Sequence, residues 1–125
     1  MPANNILVVD DQELLGRFIC EALTDEGYTV RAVLTSAGAR QAIAEQRPDL
    51  VLMDLYLMGE TGDQVARDLI DHGLAGVPIV MMTASKRGAR ELSDRGIDFC
   101  LMKPFDLADL IDCVTKHIRP ATTPS

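Results

Sequence analysis

Apolar residues fall along this chain in short unbroken runs separated by stretches of helical period. Ile6-Leu7-Val8-Val9 is the first run, too short for a free helix and ended by Asp10-Asp11, as expected of a buried strand. Leu14, Leu15, Phe18, Ile19, Ala22 and Leu23 then recur at helical spacing, and Gly27 closes that helix where a left-handed residue is wanted. Tyr28 to Val33 alternates and is rich in β-formers, which predicts an edge strand with one wetter face. Ser36 is placed to cap a second helix carrying Ala39, Ala42 and Ile43, which ends before Pro48. Leu50 to Met53 predicts a strand that stops on one carboxylate, Asp54, before a glycine-punctuated loop. Val65, Leu69 and Ile70 mark a helix that stops near Gly73.

Val77 to Met82 predicts the next strand, with Pro78 near its beginning, where a lost ladder donor is tolerated, and Thr83-Ala84-Ser85 at its end. A weaker helix follows from about Lys86 to Asp94, interrupted by Gly88 with only Ala89 and Leu92 looking inward, and is expected to be mobile. After the turn Gly96-Ile97-Asp98, Phe99 to Met102 predicts a last strand ending at Lys103-Pro104. Asp106 caps a final helix with Asp109 in its first turn and a stripe of Leu107, Leu110, Ile111, Val114 and Ile118. Strands alternating strictly with helices imply right-handed crossovers and an α/β, doubly wound (βα)5 fold with a five-stranded parallel sheet. In such sheets sites lie beyond the carboxyl ends of the strands, which makes Asp54 a candidate by position.

Composition narrows the classes of function. The 125 residues are 47% hydrophobic and 25% charged, as in one ordinary globular domain. A net charge of -7 argues against a non-specific nucleic-acid or membrane-surface binder, because such proteins cluster Lys and Arg to replace counterions. Cys20, Cys100 and Cys113 are far apart and form no CxxC pair, so they read as small core hydrophobes of a cytoplasmic protein rather than a zinc site or a disulfide framework. The start has no basic region ahead of an apolar one, and no apolar run reaches the roughly 18 residues of a membrane span. Residues 1–119 are expected to form the domain, and residues 120–125 a flexible tail or the start of a linker.

The predicted strand ends carry mutually consistent chemistry: Asp10 and Asp11, then Asp54, then Thr83, then Lys103. Three carboxylates alone would repel one another, so the cluster wants a cation, and an oxygen-lined site of this kind suits Mg²⁺. Beside a divalent ion Asp54 could attack phosphorus as a nucleophile, with Lys103 and Thr83 contacting phosphoryl oxygens and small Ala84 leaving access. Taken singly, Asp10-Asp11 could be a helix cap, Thr83 a turn residue and Lys103 a solvated loop lysine. Their joint occurrence on the ends of one regular α/β pattern points to a site.

The same residues resemble a known family. Val8-Val9-Asp10-Asp11, Arg47-Pro48-Asp49-Leu50-Val51-Leu52-Met53-Asp54 followed by Met58 and Gly62, Thr83-Ala84, Gly96-Ile97-Asp98 and Lys103-Pro104-Phe105 are similar to the receiver domain of two-component response regulators over nearly the whole chain. The resemblance implies a flavodoxin-like sheet of order 2-1-3-4-5. It implies that Asp54 is the phosphoacceptor, that Mg²⁺ is held by Asp11 directly and by Asp10 mainly through water, together with Asp54 and the backbone carbonyl of Tyr56, and that Thr83 and Lys103 contact the phosphoryl group. The donor would be a phosphohistidine on a sensor histidine kinase or phosphotransfer protein. The function would be a phosphorylation-dependent switch acting on a downstream protein target or output domain, not a turnover enzyme. Homodimers are compatible with it, and direct nucleic-acid contact and membrane insertion are not expected.

Two positions depart from the family pattern. Gly59 replaces the usual Pro after Met58, which loosens the loop, and Cys100 stands where an aromatic switch residue is usual. Met102, where a small residue is common, reads as core filler. The alternative of a Mg²⁺-dependent aspartyl-phosphate phosphohydrolase wants an acid two residues after its nucleophile, whereas Asp54 is followed by Leu55-Tyr56 and Asp10 by Asp11-Gln12. A nucleotide or flavin module lacks its glycine-rich loop in Asp10 to Gly16. Lys86, Arg87, Arg90 and Arg95 give the weak helix a basic cast that would fit an acidic partner.

Overall fold

The computed structural model describes residues 4–57, 60–71, 76–84, 86–87, 90 and 100–118. Strands β1 (Asn5–Val9), β2 (Thr29–Val33), β3 (Leu50–Asp54), β4 (Ile79–Thr83) and β5 (Cys100–Met102) form one sheet in the order β2-β1-β3-β4-β5. Every pairing in it is parallel. Helices α1 (Glu13–Asp25), α2 (Ser36–Glu45) and α3 (Gly62–Leu69) occupy the first three connections, and a last helix, Leu107–His117, follows β5. The expected α/β fold and strand order are therefore present, with β2 at an edge.

Side chains of a strand alternate between faces, so each buried strand serves two layers. Leu7, Val9, Val51, Met53 and Met81 pack with Ala39, Ala42 and Ile43 of α2 and Val65 and Leu69 of α3. Ile6, Val8, Leu50, Leu52, Val80, Met82 and Leu101 turn the other way, onto Ile19, Ala22 and Leu23 of α1 and Leu110 and Val114 of the last helix. Full burial of such a side chain contributes about 1.5–3 kcal/mol. The unbroken apolar runs of β1 and β3 are thus what a sheet covered on both sides requires. Among the described residues no helix is long and apolar enough to cross a membrane.

Local chemistry sets the ends of the elements. Gly27 has φ +97°, the left-handed conformation expected at the end of α1. Asp106 caps the last helix by accepting from the Asp109 amide at 2.8 Å, and Asp109 accepts in return from the Asp106 amide at 3.4 Å. The second helix is capped by Thr35 rather than by Ser36: Thr35 Oγ1 accepts from the Gly38 amide at 3.0 Å, and Ser36 is already helical. The extended backbone of Thr35 aims its hydroxyl at the exposed amides of the first turn, a geometry unavailable one residue later. At the other end of α2, Arg31 of β2 donates to the carbonyls of Ala42 and Gln46, both at 2.7 Å, which ties the edge strand to that helix.

Several expectations about side chains need correction. Leu14 is 79% exposed and Phe18 41%, so only part of the apolar stripe of α1 faces the sheet. Ile70, Leu107 and Met102 are exposed as well, and Met102 is not core filler. For Leu14, Phe18, Ile70 and Leu107 the reason is geometric: the stripe is wider than the strip of sheet each helix covers. Cys20 and Cys113 are half-buried rather than fully in the core. Tyr56–Leu57 and Glu60–Thr61 form a short antiparallel pair that hydrophobic pattern did not foretell. The loop at Met58-Gly59, most of the weak helix after Lys86, the turn Gly96-Ile97-Asp98, Phe99 and the tail from Arg119 lie outside the described residues, as does the side chain of Cys100.

Candidate functional site

Register brings the carboxylates together. Val9 pairs with Met53 across β1 and β3, so Asp10 and Asp54 follow at the same level on adjacent strands. Alternation sends Asp54 to the side of Leu50 and Leu52, the side that α1 covers. Asp54 is level with Met82 of β4, so Thr83 lies one step further along the rim, and Thr83 is level with Met102 of β5, immediately before Lys103. The ladders run on past the strand ends: the Asp10 amide donates to Val33 O at 3.1 Å, the Leu55 amide to Met82 O at 2.9 Å and the Lys103 amide to Thr83 O at 2.7 Å. Each candidate residue is therefore held by, or directly beside, hydrogen-bonded sheet backbone.

Asp10, Asp54 and Thr83 are the buried polar or charged residues among those described, and Asp10 is 1% exposed. Asp10, Asp11 and Asp54 each present an oxygen within 4.8 Å of the others'. Lys103 Nζ reaches into this group, donating to Asp10 Oδ2 at 3.1 Å and lying 3.5 Å from Asp54 Oδ1. Asp10 Oδ1 accepts from the Gln12 amide at 2.8 Å. Among the described residues, one ammonium set against three carboxylates leaves the cluster short of positive charge, and carboxylates at this spacing are hard oxygen donors of the kind Mg²⁺ takes. The residues present fit such an ion.

The fold thus unites Asp10, Asp11, Asp54 and Lys103 and sets Thr83 on the neighbouring strand end. Tyr56 lies two residues beyond Asp54 in the short antiparallel pair, close in sequence to the site. Lys86, Arg87 and Arg90 are exposed.

Two features escaped the sequence pattern. Gln12 is the N-cap residue of α1, yet its side chain makes no cap hydrogen bond; instead its Oε1 accepts from Lys103 Nζ at 3.4 Å. The signal for it is compositional, since N-caps favour Ser, Thr, Asp and Asn. The second is a cleft of about 420 Å³ beside the lysine, lined by Gln12, Leu15, Phe18, Ala84, Pro104 and Phe105 together with Lys103. Its walls come from α1 and from the loops after β4 and β5, a meeting that pattern within one element does not reveal.

Comparison with known proteins gives a consistent result. Residues 6–115 match the sequence model of the response regulator receiver domain. The DNA-binding response regulator MtrA of Mycolicibacterium paratuberculosis is 38% identical over 116 residues, which cover 91% of this chain and 51% of the relative. The chain spans about half the length of the curated relatives it matches. Among solved structures, the BeF3-activated N-terminal receiver domain of Klebsiella pneumoniae RstA is 28% identical with a TM-score of 0.81, covering 94% of this chain and 100% of that one. The chemotaxis protein CheY4 of Vibrio cholerae, at 22% identity, shares the fold with a TM-score of 0.84 over 94% of this chain and 100% of that one.

Proposed function

The chain belongs to the response regulator receiver domain family, and from that membership we propose that Asp54 is its phosphoacceptor, charged by a phosphohistidine on a sensor kinase or phosphotransfer protein. The observation that supports this best is the placing of Asp54 at a strand end, with Asp10 and Asp11 oxygens within 4.8 Å and the Lys103 ammonium at 3.5 Å. Asp10, Asp11, Asp54 and the Tyr56 carbonyl would hold Mg²⁺, which supplies positive charge against the carboxylates and the incoming phosphoryl oxygens.

This chain's own residues do the rest. The Asp54 carboxylate attacks phosphorus, the phosphorus–nitrogen bond of the donor breaks and the imidazole leaves with its electron pair. Lys103 moves its ammonium from the carboxylates to a phosphoryl oxygen, and Thr83 donates its hydroxyl to another. Both lie on the ends of adjacent strands, so their engagement draws the loops after β4 and β5 toward Asp54 and changes the surface that a partner reads.

The apolar cleft beside Lys103, with exposed Leu14 and Phe18 nearby on α1, is where we place the protein that carries the phosphohistidine. The exposed Lys86, Arg87 and Arg90 would meet an acidic partner. An output function, such as the DNA binding in the name of the relative MtrA, would belong to another domain or partner, since the receiver chain is acidic. We read the domain as a cytoplasmic switch rather than a turnover enzyme; no observation here favours the phosphohydrolase.

Incubation with Mg²⁺ and a small phosphodonor should add one phosphoryl group by intact-mass measurement, and Asp54→Asn should abolish it. An adduct that survives Asp54→Asn would refute the assignment.

A further inference from the structure

Among the described residues the Lys103 ammonium has three oxygen neighbours: Asp10 Oδ2 at 3.1 Å, Gln12 Oε1 at 3.4 Å and Asp54 Oδ1 at 3.5 Å. Two of them change role during the proposed chemistry. Asp54 becomes a mixed anhydride when it takes the phosphoryl group, and Asp10 would turn toward the cation. The Gln12 amide is neutral, is not phosphorylated and competes weakly for a hard cation. It is therefore, among these three, the neighbour able to keep the lysine beside Asp54 throughout the reaction.

The position of Gln12 supports the same conclusion. At an N-cap, a side chain normally satisfies the free amides of the first helical turn. Gln12 leaves them, and while its backbone amide donates to Asp10 Oδ1, its side chain extends toward the lysine. It is exposed, so it contributes little to the core. We propose that Gln12 is a positioning residue of the phosphoryl-transfer site, acting through Lys103 by holding its ammonium over Asp54. This rests on the reading of Asp54 as phosphoacceptor. Gln12 itself need touch neither the phosphoryl group nor the cation.

The test compares phosphorylation rates at saturating Mg²⁺ with phosphoramidate as donor, read by intact mass, for the wild type, Gln12→Ala, Lys103→Met and the double variant. Gln12→Ala should slow the reaction about three- to tenfold, within the range of one net hydrogen bond of ordinary strength. The double variant should match Lys103→Met, because a residue that acts through Lys103 has nothing to act on once the lysine is gone. Gln12→Met, which keeps the length of the side chain but not its oxygen, should slow the reaction as Gln12→Ala does. With ε-¹³C-labelled lysine, Gln12→Ala should move the Lys103 resonance and leave those of Lys86 and Lys116 in place.

A wild-type rate in Gln12→Ala, the same proportional loss in the Lys103→Met background, or an unmoved Lys103 resonance would each overturn the proposal alone. If Lys103→Met is too slow to measure, the resonance decides. A wild-type protein that takes no phosphoryl group would overturn the phosphoacceptor reading and this proposal with it.

Discussion

Lys103 Nζ lies 3.1 Å from Asp10 Oδ2, across 93 residues of sequence and between the ends of two strands that are not neighbours in the sheet. Asp10 is almost fully buried, and most of the Lys103 side chain is shielded. The pair therefore closes the rim of the sheet over β3 and β4 and joins the first strand to the fifth.

Removing the cation should be costly for the fold. Lys103→Met leaves Asp10 and Asp54 close together without their ammonium, and loss of one partner of a buried pair costs on the order of 3 kcal/mol. Added Mg²⁺ should recover part of this by supplying charge at the same carboxylates. Urea unfolding with and without Mg²⁺ checks both parts; equal stability of variant and wild type without the ion would show that Asp10 does not depend on Lys103.

Leu14 and Phe18 separate docking from folding. Since Leu14 is 79% exposed, Leu14→Ser should leave stability within about 0.5 kcal/mol of wild type. Phosphorylation by a small donor should also be unchanged, while transfer from a phosphohistidine protein should weaken by about tenfold if this face carries part of the interface. Equal transfer rates from the protein donor would remove α1 from the docking surface.

The cap of α2 can be tested at adjacent positions. Thr35→Ala should cost about 1 kcal/mol through loss of the bond from the Gly38 amide, and Thr35→Ser should retain most of it. Ser36→Ala should cost much less. Chemical denaturation of the three variants decides, and a larger loss at Ser36 would reverse the assignment.

Burial, followed by the charge of Glu21, pushes the Cys20 thiol above its ordinary value of 9.0. The folded protein thus holds this proton more tightly than the unfolded chain. The resulting stabilisation is fully present below pH 9.0 and is lost as pH rises through the folded value. At neutral pH, Cys20 should alkylate more slowly in the folded protein than in the denatured chain, as measured by peptide mapping. Above pH 9.0 the wild type should lose stability relative to Cys20→Ser. A parallel pH profile for the two proteins would contradict the shift.

Much of the architecture was already present in the one-dimensional pattern. The apolar runs Ile6 to Val9 and Leu50 to Met53 are readable because a strand covered on both faces needs apolar side chains at every position. Asp54, Asp10, Asp11, Thr83 and Lys103 are readable because each directly follows or ends such a run. Capping at Asp106 is equally local, needing only Asp109 three residues on.

Tertiary structure decided which side chains of a stripe are covered and which partners the polar groups take. Periodicity places Leu14, Phe18, Ile19 and Leu23 on related faces of α1, but the position of the sheet under that helix buries Ile19 and Leu23 and leaves Leu14 in solvent. The partner of Gln12 follows from nothing local, since the lysine it meets is 91 residues away. The residue types and the strand ends that bear them are properties of the sequence, because they depend on period and on neighbours along the chain. The assembly of Asp10, Gln12, Asp54 and Lys103 into one site depends on the order and register of parallel strands, which only long-range packing can set.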